Sequence, residues 1–539
     1  MTTLYAHVPH PPQIDAYWND GTIHEHQHTS PIEVTVKTAS SEGTLLGTGA
    51  NQIERILGDT ELSYFLPSRE SGVNDMYLHL GCRAVVELLD VRRIRLVWAI
   101  LRIRHPLLAS RVEMHDYDDA RFVYLAPCSV ENALSSASAN IGYRTQNKDE
   151  LINSYLNGPR MLSNERLSYL IVSRGNVASS LQSTDGVDCN FLICATHFLG
   201  DGMALHQFAN DFFCLLGGSS TTNQLAMLLS SEWLSRCAKV HVTLPAALED
   251  RLPLSNGKLC RLVSRIDFDR SQEKLVGGHT FPRHPGSQRH TVVPTISIDV
   301  DRTKKLLKNC KAHGVSISSA LFALCNIAWA KTSNRKWELP TMMYSALNLR
   351  PYLVADTAIN DSYWYLAIGY FNVVLPSFLP TTNDISSTFW HRARTAKAQS
   401  INAAKNPMAV SRSREMARVR GERARIWAKD DDNTMRGIKI TPACSPKKPS
   451  NRPPSDALIG LSLLGNLDGI YNHSAFPGVQ FHTLTTGSRQ RSGGMLLFGY
   501  TFVGKLWLSL GYDENGFDRD TVRYFWDNML SCIDELLIK

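Results

Sequence analysis

Residues Cys189-Asn190-Phe191-Leu192-Ile193-Cys194-Ala195-Thr196-His197-Phe198-Leu199-Gly200-Asp201-Gly202 decide how this chain is read. The run from Cys189 to Thr196 is largely apolar and bounded by turns, the pattern of a buried strand. From Met203 to Phe213 apolar side chains recur every three or four positions, as in a helix that packs by one face. His197 is therefore expected at a strand-to-helix turn, with Gly200 and Gly202 on either side of Asp201. A strand that feeds directly into a helix predicts an α/β architecture.

Reading outward, Ser168 to Ser173 is a second buried strand. Further upstream, Asp90 caps a helix that carries Ile94, Leu96, Val97, Trp98, Ile100 and Leu101 and stops at Arg104-His105-Pro106, because proline cannot continue it. Leu107 to Val112 and Arg121 to Leu125 then read as a strand hairpin. Downstream, the polar stretch Gly217 to Asn223 opens a less regular region that lasts until the alternating strand Pro294 to Val300. Beyond it come a helix from Asp301 to His313 closed by Gly314, a helix from Ser318 to Lys331, and a strand from Thr341 to Ala346. Asp518 caps a last helix with an apolar stripe from Val522 to Leu537. The expected division is an N-terminal lobe over 1–216, an interlobe connection over 217–290 and a C-terminal lobe over 291–539.

A chain of 539 residues exceeds what one hydrophobic core usually serves, which agrees with two lobes. Hydrophobic residues at 43% and charged residues at 20% exclude wholesale disorder and a membrane protein. The first ten residues lack the basic and apolar regions of a secretory signal, and Ile317 to Ala330 is too short and too interrupted to span a bilayer. Eleven cysteines without CxxC pairs fit reduced thiols in a cytosol, so the Asn472-His473-Ser474 sequon is expected to be idle. A net charge of +7 is small over this length, and no zinc-finger, RNP-like or basic-zipper pattern accompanies it; nucleic acid is not an expected partner. His24, His26 and His28 read as loop histidines in an irregular N-terminal arm, and no metal site is expected. Arg412 to Lys429 reads as a solvated basic helix, with phosphate binding the competing use, and Pro442 to Pro454 as a loop.

Transfer of an acyl group to an alcohol requires a base for the hydroxyl proton, and neutral imidazole suits that task near neutral pH. His197, held at the end of a buried strand, has the required rigidity. Asp201 can turn back under the loop and fix it by pairing with an arginine from elsewhere. A core histidine beside a helix-capping aspartate would explain the same residues without chemistry. About 0.1 HxxxDG matches arise by chance in a chain of this composition, so the context must decide.

That context comprises Arg104-His105-Pro106-Leu107-Leu108, the HxxxDG turn, Asn348-Leu349-Arg350-Pro351, Gly369-Tyr370-Phe371-Asn372, Leu461-Ser462-Leu463-Leu464-Gly465 and Gly504-Lys505-Leu506-Trp507-Leu508-Ser509 before Tyr512-Asp513-Glu514-Asn515. In this order, from about Leu89 to the end, it resembles the superfamily of BAHD acyltransferases and nonribosomal-peptide condensation domains, and within it the fungal alcohol acetyltransferases. The resemblance implies an α/β fold of two related chloramphenicol-acetyltransferase-like lobes, mixed sheets with covering helices, and a channel between them. It implies His197 as the general base, with Asp201, Gly202 and Arg350 supporting the site and Arg350 pairing with Asp201. It places Asn372, Ser462 and Gly465 near the reacting carbonyl. No cofactor is implied; acetyl-CoA is the co-substrate and the partner is a small-molecule alcohol, a secondary metabolite, taken by a monomeric cytoplasmic enzyme. Thr196 stands where condensation domains usually have a second histidine, which favours the acetyltransferase branch. The plant-type Asp-Phe-Gly-Trp-Gly motif has only Phe498-Gly499-Tyr500 in its place.

Three other readings compete. A serine hydrolase would need a GxSxG elbow, which Gly460-Leu461-Ser462-Leu463-Leu464-Gly465 misses by one residue. A condensation enzyme would take its acyl group from a carrier protein. A noncatalytic binding protein could use the same fold, since fold does not dictate function.

Overall fold

The Val187–Ala195 strand forms where the apolar run predicts it and lies third in a five-stranded sheet. The order is Val479–Ser488, Met76–Ala84, Val187–Ala195, Ser168–Arg174 and Ile141–Arg144, with only the last pair parallel. In this computed structural model the described residues are 52–175, 186–238, 243–254, 257–284, 288–333, 337–354, 362–380, 385–438 and 453–538. They belong to one compact unit, Asn51–Lys539. The arm histidines His24, His26 and His28 and the proline-rich stretch up to residue 452 lie outside them.

The Asp90 carboxylate accepts from the Arg93 N–H at 2.8 Å and starts the Val91–Arg104 helix, whose Ile94, Val97, Trp98 and Leu101 are buried. The hairpin begins later than its apolar residues suggest. Pro106 opens a short 3-10 turn, Pro106–Ala109, that buries Leu107 and Leu108, so the strands are Arg111–Met114 and Ala120–Leu125, joined by Gln52–Ile56 in a three-stranded sheet.

The second lobe holds an eight-stranded mixed sheet with the main order Thr295–Ile298, Lys505–Asp513, Met495–Phe502, Ser455–Asn466, Thr341–Asn348 and Ile368–Leu375. Helices Val300–Ala312 and Ile317–Thr332 cover it. The first starts one residue earlier than expected, capped by Asp299, and Gly314 follows it with the left-handed φ of +67° that glycine favours at a helix exit. No single helix among the described residues is long and apolar enough to cross a membrane.

Each lobe has its own apolar core, one around Trp98, Phe191, Phe208 and Phe212, the other around Leu321, Phe322, Trp329 and Phe525. The chain does not divide cleanly between them. Strand Val479–Ser488, from the far end of the sequence, closes the first sheet against Met76–Ala84, and Trp364, Tyr500 and Trp507 enter the first core.

Residues read as irregular between Gly217 and Pro294 carry two long helices, Thr222–Ala238 and Lys258–Glu273, with a single turn, Leu248–Arg251, between them. In the second helix, Leu259, Leu262, Val263 and Ile266 are exposed and only Ser264 and Phe268 are buried, so its outward apolar row gives no sign of a packed face. The basic stretch from Arg412 is part of a 27-residue helix, Ala409–Met435. One face of this helix packs, burying Ala417, Gly421, Ala424 and Ala428, with Arg412 paired to Asp267 and Arg425 to Asp59 and Asp118, while Ile426 and Trp427 stay exposed.

Candidate active site

The Val187–Ala195 strand runs into a single 3-10 turn, His197–Leu199, and the Gly202–Gly217 helix starts three residues later. Phe198 and Leu199 are buried and anchor the turn, the Phe198 ring meeting Phe65 edge-on at 5.2 Å and Phe122 at 5.8 Å. Gly200 is needed for close approach: a Cβ there would stand 3.3 Å from the Trp364 indole nitrogen and 3.4 Å from the Ala204 Cβ.

Asp201 forms the fixed end of the turn. Its Oδ1 accepts from the Ala204 N–H at 3.1 Å, capping the helix, and its Oδ2 accepts from the Ala367 N–H at 2.9 Å. Arg350 Nη1 donates to both oxygens, at 2.8 and 2.7 Å, while Nη2 donates to the Tyr365 carbonyl at 3.0 Å. Asp201 is 2% exposed. A buried carboxylate is costly in isolation, and here cap, ion pair and backbone donor together satisfy it. Arg350 opens the Arg350–Tyr352 turn after strand Thr341–Asn348, so the pair ties the His197 turn to the second sheet.

His197 forms the other end and is only half-buried. Its ring stacks on Tyr64 with centroids 4.3 Å apart and planes 25° apart. Nδ1 is buried and no partner meets hydrogen-bond geometry, although the carbonyls of His197 and Gly200 lie close enough to favour a protonated ring. Nε2 is thus the nitrogen left for the open side. Burial lowers the imidazole pKa below its ordinary value, more than those carbonyls and the Asp201 charge raise it, and the nearby Arg420 charge lowers it further. The resting ring is therefore neutral near neutral pH. The Thr196 hydroxyl and the Trp364 indole N–H are also buried without partners around this turn.

The remaining expected residues distribute as follows. Gly202 sits against the far segment, since a Cβ there would lie 3.2 Å from Leu464 Cδ2. Ser462 and Gly465 flank Leu464 in strand Ser455–Asn466, where a register shift between Leu463 and Gly465 coincides with a left-handed φ of +71° at Gly465. Asn372 pairs in register with Tyr344 and lies two residues beyond Tyr370, hence on the same sheet face. The Tyr370 hydroxyl touches the hydroxyl of Tyr64, and Arg420 lies over both rings, at 4.5 Å from Tyr370 and 5.1 Å from Tyr64.

Tyr64 and Arg420 were not legible from the sequence. Tyr64 lies in helix Asp59–Ser68, upstream of where the motif pattern begins, and Arg420 is one of several arginines in its helix with nothing local to set it apart. His79, His105 and His206 are buried and structural. His79 bonds Asn190 at 2.8 Å, His105 bonds Ser362 at 2.8 Å and His206 bonds Tyr471 at 2.9 Å; burial pushes them down to about 4, 3 and 3. His105 belongs to the Arg104-His105-Pro106 segment, which therefore packs rather than reacts. Among the described residues no group of three His, Cys, Asp or Glu could hold a metal ion. A surface cavity of about 470 Å³ lined by His284, Glu514, Phe517 and Asp518 shares no residue with this site.

No protein-family model and no curated protein matches the chain. Solved structures do. Trichothecene 15-O-acetyltransferase from Fusarium sporotrichioides superposes with a TM-score of 0.68 at 15% identity, over 90% of this chain and 95% of that one. The first condensation domain of the CDA synthetase gives 0.53 at 11% identity, over 90% and 97%. Polyketide synthase associated protein 5 from Mycobacterium tuberculosis gives 0.52 at 13% identity, over 89% and 98%. At these identities the likeness is one of fold, and the fold is the two-lobed mixed α/β architecture shared by condensation domains and acyltransferases.

Proposed function

We propose that this chain is an O-acyltransferase that moves an acetyl group from acetyl-CoA to a hydroxyl of a largely apolar secondary metabolite, such as a trichothecene-type terpenoid or a polyketide. One observation carries the reading: a neutral, half-buried His197, with Nδ1 turned into the protein and Nε2 free, stands where the two lobes meet, on a turn locked by the Asp201–Arg350 pair. Nε2 takes the alcohol proton as the oxygen attacks the thioester carbonyl. The C–O bond forms, the C–S bond breaks, and the departing thiolate recovers the proton from the imidazolium, leaving an ester and free CoA. Asp201 and the carbonyls around the ring stabilise the transient imidazolium. Asn372, Ser462 and Gly465 border the reacting carbonyl in this reading, and Gly202 supports the turn. Likeness to an acetyltransferase over 95% of its length supports the reaction class, and Thr196 in place of a second histidine supports a free thioester donor over a carrier-bound one.

The test is a panel of acyl-CoA donors with hydroxylated terpenoid and polyketide acceptors. The expected result is ester formation from acetyl-CoA with one thiol released per ester. Activity only with a carrier-bound acyl group, or only with amine acceptors, would assign the condensation reaction instead. Binding without turnover across the panel would assign a noncatalytic role.

A further inference from the structure

The geometry points to Arg420 as a positioning residue for His197: clamped on Tyr64 and Tyr370, it fixes the aromatic face on which the imidazole stacks and holds a positive charge beside it. This rests on His197 being the general base.

Three elements distant in sequence converge here: helix Asp59–Ser68 brings Tyr64, strand Ile368–Leu375 brings Tyr370 and helix Ala409–Met435 brings Arg420. The long helix comes close because the residue after Arg420 is glycine; a Cβ on Gly421 would stand 2.5 Å from Asp59 Oδ1. Four of its other arginines are used differently, and Arg423 lies over the exposed Trp427 ring. Arg412, Arg418 and Arg425 pair with carboxylates and Arg414 donates to the carbonyls of Glu249 and Leu252. Arg420 instead has tyrosines as its partners, the guanidinium over both rings and within reach of both hydroxyls. A half-buried guanidinium without a carboxylate is retained at a cost, offset here by two ring faces and two hydroxyls.

The consequence for His197 follows from the charges that face it. From its own turn come Asp201, whose charge is engaged by Arg350, and the carbonyls of His197 and Gly200; all favour the imidazolium. From the long helix comes Arg420, which opposes it. Tyr64 contributes a neutral face, because burial raises its hydroxyl well above the ordinary range. Arg420 thus braces the face on which the ring stacks and adds its charge to the burial that keeps the ring unprotonated before the alcohol arrives.

The experiment compares wild type with R420Q, R420K, Y64F and Y64L. The readouts are the His197 ring pKa, followed in ε1-¹³C-histidine-labelled protein and assigned with H197Q, and the pH profile of kcat/KM. R420Q should raise the ring pKa and move the acid limb upward by the same amount. R420K, which keeps the charge, should leave the ring pKa near the wild-type value yet lower kcat through the lost clamp. Y64F should keep the stack and the pKa, whereas Y64L should lose about tenfold in kcat. A folded R420Q with unmoved ring pKa and acid limb would overturn the proposal; if R420Q does not fold, an R420K and Y64L pair with wild-type kcat does so. The two claims fail separately: a shifted ring pKa in R420Q with a fully active His197→Ala variant removes the general base and leaves the Arg420 coupling, while the reverse pattern removes only the coupling.

Discussion

The two ends of the HxxxDG turn lie four residues apart and are built on opposite principles. At the Asp201 end every acceptor is used, by a helix N–H, a backbone N–H and a guanidinium that itself holds two carbonyls, and water is excluded. At the His197 end a ring nitrogen is buried without a partner, the other is open and the ring rests on a tyrosine face. Structure is stabilised where polar atoms are satisfied and chemistry is available where they are not. The turn therefore separates an architectural carboxylate from the imidazole proposed as the base, although both belong to one motif.

The largest expected effect comes from breaking the satisfied end. Asp201→Ala or Arg350→Ala leaves a buried charge unpaired and should cost about 3–5 kcal/mol in denaturant unfolding. The double variant should lose much less than the sum, since the pair is one unit. Unchanged unfolding in both single variants would remove the distinction between the ends.

This end of the comparison was legible in the sequence because its signals are local. The apolar run 189–196, the cap residue Asp201 and the Asn348-Leu349-Arg350-Pro351 turn each obey short-range rules, and the resemblance joined them across the chain. The clamp on His197 was not legible: Tyr64, Tyr370 and Arg420 meet only through packing between helices Asp59–Ser68 and Ala409–Met435. Helix Lys258–Glu273 escaped because its apolar residues face outward, and strand Val479–Ser488 gave no sign that it pairs across the lobes.

The buried histidines sharpen the comparison from another side. His79, His105 and His206 are fully enclosed and neutral, with folded pKa values of about 4, 3 and 3. An unfolded chain protonates them at about 6.5, so their stabilising contribution is present above that pH and is lost as pH falls below it. Each should cost about 2 kcal/mol at pH 5, read as a shift in urea midpoint between pH 7 and pH 5. A midpoint that stays constant over that range would show that these rings are not held neutral.

Activity should respond less to acid than the ordinary histidine range suggests, provided short assays precede unfolding. Burial lowers the His197 pKa, so the acid limb of kcat/KM should lie below about 6.5. A limb above that value would mean that the Asp201 charge outweighs burial. The smallest effect is expected from Gly202→Ala. Its Cβ meets only the flexible end of Leu464, and the gain in helix propensity offsets the crowding, so stability should change by less than about 1 kcal/mol. A loss above about 3 kcal/mol would show that the Ser462 to Gly465 segment cannot yield.

The most direct measurement is acceptor-dependent thiol release from acetyl-CoA by His197→Ala beside wild type, with unfolding curves recorded on the same preparations. The account predicts a loss of about 10²- to 10⁴-fold in turnover with stability unchanged. Near-normal turnover by a folded His197→Ala variant would contradict it.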